Sequence, residues 1–487
     1  MTWFALDDRW LRWLLVPAVV FISQAISDSH LVDFWHHLAR GQYMALHGQL
    51  LDQDVFTYPL QGQPLRDVNW LTQLGYYHLF SWGGLDFVRV INAGLLALAW
   101  AGLVAVCRRA SGSLEAAVAV ALLAFLGCWQ FLTIRPQTLS YLLFLGMYAL
   151  LRRAETDRRC LLLAPPLLMV WANVHGAFPA GLLLLGGFGA GQALTRRYTP
   201  TFWPTLLTWG AAGLAGFLAT LINPYGLGIY TYAAGLSQVS AGRGIEEWLP
   251  PSWQHLSGVI YFTSLVLAVV TLLLAGRRGQ ALSARDVILL LGFGLMAARS
   301  IRMVPWWLFV LAPVLAERLV FLWPTLRTPT YQPNLGALLS CAALLGLCVL
   351  SLPPLHAYNP LLWLRPADPT TARLEAARQH LDASLGQGNL FTRLEWGEYF
   401  TWAGYPRWKI FIDGRIEIIT DPVWDEYVTL TRGGPGWEAI LDRYDVHALL
   451  LDEPFHRRTG LLDAVETSPH WQRVLHQGNV WLYERKR

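Results

Sequence analysis

The chain has 487 residues, of which 54% are hydrophobic and only 14% charged, with a mean hydropathy of +0.35 and a formal charge of +4. A soluble body of this length needs more charge to cover its surface, so most apolar residues must meet lipid. The basic residues are scattered rather than gathered in a stripe, which excludes a nucleic-acid partner.

The first apolar run has no small-residue cleavage site behind it and reads as a retained helix. A bilayer core takes about 20 apolar residues per helix. Eleven segments fit that pattern, near 10–27, 88–107, 114–132, 137–152, 160–174, 177–195, 203–222, 257–275, 285–298, 303–323 and 335–353. Pro165 and Pro166 predict a kink or break in the fifth, whose neighbourhood would offer a lipid-accessible groove. Cys107, Cys128, Cys160, Cys341 and Cys348 lie in or beside these runs without metal-ligand spacing and read as packing residues.

Arginine placement orients the chain. With the N-terminus cytoplasmic, one set of ends holds Arg9, Arg12, Arg108, Arg109, Arg152, Arg153, Arg196, Arg197, Arg277, Arg278 and more. The opposite short loops hold few. An odd number of crossings then puts the C-terminal segment outside, which in a bacterium is the periplasmic face of the inner membrane. The expected architecture is an α-helical polytopic membrane domain over 1–356, with a long outer loop at 28–87, followed by a small soluble α/β domain over 357–487.

The long outer loop carries polar groups in a pattern. As a helix from Asp33 to His47, one face holds Asp33, His36, His37, Arg40, Met44 and His47, and the other Phe34, Trp35, Leu38, Ala45 and Leu46. That predicts an amphipathic helix on the membrane surface, ended by Gly48. Asp52-Gln53-Asp54 follows and reads either as a capped turn or as a contact for a divalent cation (Mg or Mn), shared with Asp33. Arg66-Asp67-Val68-Asn69 opens a second helix.

Further groups cluster on the same side. Arg135, Arg299 and Arg302 flank membrane spans, and either snorkel to headgroups or form a cationic pocket for a lipid phosphate. Asn173, His175, Glu246 and Glu247 lie at the same level. In the C-terminal segment, strands are predicted at Leu390–Phe391, Trp408–Asp413, Val446–Asp452 and Val480–Tyr483, and helices near 369–384, 435–444 and 459–468. Asp413-Gly414-Arg415 is either a turn with an ion pair or a loop that folds back over the membrane cavity. Trp396-Gly397-Glu398-Tyr399 and Trp402 suit sugar rings or a core equally. There is no Gly-rich phosphate loop and no nucleophile elbow.

The Asp33-to-Gly48 spacing, the second helix from Asn69 to Phe80, Gly83-Gly84 and the Arg89 that opens the next span resemble the first outer loop of the GT-C superfamily of membrane glycosyltransferases. The run Asp33-Phe34-Trp35-His36-His37-Leu38 is also similar to a bacterial membrane group placed near that superfamily. The resemblance implies transfer of a sugar from a polyprenyl-phosphate donor to an envelope acceptor, with inversion. It makes Asp33 the base, and Arg89, Arg135, Arg299 and Arg302 the phosphate contacts. Many relatives follow the catalytic Asp with a second acid, but Phe34 stands here, leaving Asp28, Asp52 or Asp54 to supply it. The alternatives are a non-catalytic scaffold and a transporter. The second is disfavoured because no internal repeat is evident and the membrane interior lacks acids.

Overall fold

The computed structural model describes residues 7–27, 33–327, 334–363 and 369–486. The chain forms two compact units, one of 1–27 with 82–365 and one of 28–81 with 366–487. Residues 28–81 of the long outer loop therefore group with the C-terminal segment and not with the membrane helices.

In the first unit a helix covers each expected apolar segment: Asp8–Ala25, the later part of Trp70–Ser111, Leu114–Cys128, Gln137–Ala154, Ala164–Val174, Pro179–Thr195, Phe202–Thr220, Leu256–Arg277, Ala284–Arg299, Val304–Leu322 and Leu335–Leu350. Among the described residues, five stretches have the length and composition to cross a membrane: Trp70–Ser111, Leu114–Phe131, Phe202–Thr220, Leu256–Arg277 and Ile301–Leu322. The last of these is the most buried and forms the middle of the bundle. Around it Trp100, Tyr141 and Phe309 meet edge to face at centroid distances of 5.6 to 6.1 Å.

Two expectations change. Pro165 and Pro166 do not kink a span. They lie in the first turn of Ala164–Val174, after a 3-10 turn at Arg158–Leu163, where the missing N–H leaves no bond broken. The groove expected beside a kinked fifth span loses its basis. The stretch 223–256, between two of the expected apolar segments, also contains a helix that was not expected, Gly228–Gly242. Within Trp70–Ser111 the chain bends at Gly83-Gly84, and Gly84 (φ 65°, ψ −165°) occupies a region that only glycine visits readily.

The second unit is built on a five-stranded sheet of order β2-β1-β3-β5-β4. Its strands are β1 (Gly388–Thr392), β2 (Trp408–Ile410), β3 (Val446–Asp452), β4 (Trp471–Gln477) and β5 (Val480–Arg485). β1 runs parallel to β2 and β3, while β5 is antiparallel to β3 and β4. Leu390, Phe391 and Leu449–Leu451 are fully buried, as strands covered on both faces require. Helices Thr370–Ser384, Leu394–Ala403, Asp421–Thr431, Trp437–Arg443, Glu453–Thr459 and Leu461–Thr467 complete it.

The outer-loop segment is part of this body. Tyr58 N–H donates to Ile410 O at 3.1 Å and Ile410 N–H to Phe56 O at 3.2 Å, so residues 56–58 cover the edge of β2. Helix Phe34–His47 ends, as expected, on Gly48 (φ 65°). It is not an amphipathic helix with one wet face. Residues 34–41 and Met44 are all buried. Its aromatic side is covered by protein: Trp35 stacks on Trp402 at 4.8 Å and meets Tyr399 edge-on at 5.2 Å.

Candidate active site

Asp33 precedes helix Phe34–His47 with φ 70° and ψ −25°, a left-handed conformation costing a non-glycine residue about 1–3 kcal/mol. What holds it there is Glu398. The Asp33 backbone N–H donates to the Glu398 carboxylate, and the Asp33 carbonyl accepts from His37 N–H at 3.3 Å. Glu398 is fully buried on helix Leu394–Ala403, whereas a quarter of the Asp33 side chain is exposed. The pair is thus one shielded carboxylate and one that reaches solvent. The acid that the structure brings to Asp33 is Glu398. Asp28 lies outside the described residues, Asp52 is exposed, and Asp54 is occupied elsewhere.

A turn closes over these acids. A Cβ on Gly414 would lie 2.4 Å from Glu398 Oε1 and 3.2 Å from Asp33 Oδ1, so only glycine lets the backbone pass so close. On either side of it, Asp413 and Arg415 are buried and paired, with Arg415 Nε 2.8 Å from Asp413 Oδ1. Arg415 Nη1 reaches Asp54 Oδ1 at 2.5 Å. Burial raises the Asp413 carboxyl, but the Arg415 charge and hydrogen bonds outweigh it and hold it at about 2. Neither Asp413 nor Arg415 is available to touch an acceptor; they brace the turn that carries Gly414. Asp54 also accepts from Thr57 N–H at 3.1 Å and from the Thr57 hydroxyl, so it is not a metal ligand beside Asp33.

The polar side of the helix is wired inward. Arg40 is buried and its Nη2 donates to His36 Nδ1 at 2.9 Å and to His37 Nδ1 at 3.1 Å, while Nη1 lies 3.5 Å from Asp67 Oδ1. Gln73 Nε2 donates to Asp67 Oδ1 at 2.7 Å and contacts His37 Nδ1 at 3.0 Å. A guanidinium only donates, so His36 Nδ1 is an acceptor and the ring hydrogen is on Nε2. That Nε2 lies 3.7 Å from Asp33 Oδ1. His36 therefore presents an N–H toward the Asp33 carboxylate.

The ligand atoms of Asp33, His36 and Glu398 lie within 4.8 Å of one another. Two carboxylates, one reaching solvent, fit an oxygen-seeking cation such as Mg²⁺ or Mn²⁺. His36 does not fit as a third ligand, because its Nε2 lone pair is taken by hydrogen. Asn69 opens the second helix, accepting from Gln73 N–H at 3.1 Å, and stays outside this group.

The remaining candidates lie in the first unit. Glu247 bridges two arginines, Oε1 to Arg135 Nη1 at 2.6 Å and Oε2 to Arg302 Nη1 at 2.8 Å. Arg302 also lies over the Trp248 ring at 5.2 Å. Arg89 pairs with Asp86 at 3.0 Å, and Arg299 is exposed at the end of its helix, so neither joins that cluster. Glu246 is exposed. Asn173 Nδ2 donates to Ile222 O at 2.8 Å and ties two helix ends together. His175 Nδ1 contacts Ser140 Oγ at 2.8 Å.

Sequence reasoning missed Glu398, Asp67 and Gln73. For Glu398 a signal existed: it is an acid inside the aromatic run Trp396-Gly397-Glu398-Tyr399-Phe400, where an unpartnered charge is costly.

No protein-family model and no curated protein matches the sequence. Solved structures do match. The apo oligosaccharyltransferase of Archaeoglobus fulgidus matches with a TM-score of 0.53 and 12% identity, over 100% of this chain and 75% of that one. The A. fulgidus oligosaccharyltransferase AglB with an inhibitory peptide and a dolichol-phosphate gives a TM-score of 0.50 at 12% identity, over 98% and 74%. The mycobacterial arabinofuranosyltransferase AftD gives 0.55 at 18% identity, over 99% of this chain but 40% of its own. The chain is a multi-pass membrane protein with the fold of the GT-C membrane glycosyltransferases.

Proposed function

We propose that the chain is an inverting glycosyltransferase that takes a sugar from a polyprenyl-phosphate donor and places it on a hydroxyl of an envelope acceptor, outside the cytoplasmic membrane. One observation carries this reading. Asp33 is held in a strained conformation by a buried second carboxylate, and its own carboxylate is partly exposed beside the His36 N–H. A free loop acid would not be built this way. Glu398 gives Asp33 an acidic neighbour within one cluster, which supports the enzymatic reading over a non-catalytic scaffold.

In the proposed reaction the Asp33 carboxylate accepts the proton of the acceptor hydroxyl. The acceptor oxygen bonds to the anomeric carbon from the face opposite the phosphate. The bond from that carbon to the phosphate oxygen breaks, and the lipid phosphate leaves with the electron pair. The His36 N–H stands 3.7 Å from Asp33 Oδ1, beyond direct hydrogen-bond distance, as a polar neighbour of the carboxylate. A divalent cation held by Asp33 and Glu398 would supply positive charge for the departing phosphate. Arg135 and Arg302, which Glu247 bridges within the first unit, are the guanidiniums whose chemistry suits a lipid phosphate. The dolichol-phosphate of the AglB complex and the sugar-transferring activity named for AftD support a lipid-linked donor. The arginine bias supports eleven crossings with the N-terminus cytoplasmic and the second unit outside.

The test is transfer by the purified protein in lipid nanodiscs, using a panel of synthetic polyprenyl-phosphate pentoses and hexoses with envelope extract as acceptor. Asp33→Asn is expected to abolish transfer and leave folding intact. Undiminished transfer by Asp33→Asn refutes the mechanism.

A further inference from the structure

The first unit carries an apolar groove of about 550 Å³ between helices Trp70–Ser111 and Gln137–Ala154. Leu98, Gly102 and Val106 line one side, and Leu142, Gly146 and Ala149 the other. Spacings of three and four residues put each set on one helical face, so the groove runs along both helices. It is open at Gly102, where a Cβ would meet nothing within 4 Å. Walls this apolar give water nothing to bond to.

One end of the groove is charged. Arg109, Arg152 and Arg153 line it. Arg152 is held by Glu155 at 3.3 Å, and Glu155 is also bound by Arg285 at 2.7 Å. Arg109 and Arg153 are exposed and have no ion-pair partner among the described residues. Both guanidiniums sit at helix C-terminal ends. At 1.5 Å per residue, the run from Leu98 to Arg109 is about 16 Å, about half of a bilayer's hydrocarbon core. A trough one leaflet deep with two uncompensated cations at its mouth matches an acyl chain joined to an anionic headgroup.

We propose that this groove is a binding site for an anionic glycerophospholipid, with an acyl chain in the trough and the phosphate on Arg109 and Arg153. It is a second lipid site, distinct from the one proposed for the donor. Arg135 stands before the start of helix Gln137–Ala154 and Arg153 near its end, about 25 Å apart along the axis. The proposal goes beyond the glycosyltransferase reading and does not depend on it.

The test is native mass spectrometry of the full-length protein released from nanodiscs of phosphatidylglycerol and phosphatidylcholine. Wild type is expected to retain phosphatidylglycerol preferentially. Arg109→Gln with Arg153→Gln is expected to lower that retention about 10-fold or more. Gly102→Leu, whose Cβ meets nothing within 4 Å and whose side chain would occupy the trough, is expected to lower retention of both lipids. Equal retention of the two lipids by wild type overturns the proposal. So does a Gly102→Leu variant that retains phosphatidylglycerol as wild type does, or one that instead loses a bound polyprenyl phosphate.

Discussion

Replacing Glu398 tests the site at its joint. The left-handed conformation of Asp33 costs about 1–3 kcal/mol, and a hydrogen bond to a buried carboxylate contributes about 1.5–3 kcal/mol. The two are of similar size, so removing that acceptor takes away a large part of what offsets the strain at Asp33. In Glu398→Ala the bond is gone, and Asp33 is expected to relax to negative φ and carry its carboxylate away from His36. A displacement of about 1 Å at a reacting group costs on the order of 100-fold in rate. Transfer measured at saturating donor should therefore show kcat down by that factor. Thermal unfolding should report a loss of about 2 kcal/mol, from the bond and the space left behind. Glu398→Gln separates geometry from charge. Its amide oxygen still accepts from Asp33 N–H, so stability should stay near wild type, and any loss of rate belongs to the missing charge. Glu398→Ala with a rate within twofold of wild type would refute the coupling of these two acids.

Arg40→Met removes the donor shared by His36 and His37 and leaves Asp67 buried without its guanidinium; a loss of about 3–5 kcal/mol is expected in thermal unfolding, while Arg40→Lys, with one point charge, should restore only part. The Asp413 carboxyl is held at about 2 when folded against an ordinary 3.8, so its contribution of about 2 kcal/mol is present above pH 4 and lost as pH falls toward 2. Melting curves between pH 2 and 7 should show that step, and Asp413→Asn should remove it at the cost of stability at neutral pH. Glu247→Gln frees Arg135 and Arg302 from their bridging carboxylate, and tighter binding of polyprenyl phosphate, by about 10-fold, is expected in a direct titration.

The membrane helices were legible because apolar runs of bilayer length have few other uses. The end of the helix that follows Asp33 was legible because Gly48, in the left-handed region, marks where it must stop. The covering of that helix was not. Periodicity reveals that a helix has an aromatic and a polar side, but not what lies against each. Lipid was assigned to the aromatic side, yet its cover is Trp402 and Tyr399, more than 360 residues away in sequence. Water was assigned to the polar side, yet Arg40 finds Asp67 there. Glu398 was invisible as a partner for the same reason. Strand β4 was missed because most of its side chains are exposed and polar, so neither alternation nor an apolar run marks it.

These misreadings share one physical cause that also explains the site. A general base must hold its carboxylate to within a fraction of an ångström, and a loop between membrane helices has no core with which to do so. Here the loop borrows one. Residues 56–58 complete the sheet at β2, Trp35 enters the aromatic cluster of helix Leu394–Ala403, and the Asp413–Arg415 pair anchors the turn at Gly414 to Asp54. Each contact joins the loop to the C-terminal segment, and together they surround Asp33, a quarter of whose side chain stays exposed. A scaffold or anchoring loop needs no such construction, since its contacts tolerate slack. Burying Arg40, Arg415, Asp54, Asp67 and Glu398 in one small unit is expensive in desolvation. That expense is intelligible if it fixes one strained, partly exposed aspartate where a proton must be taken.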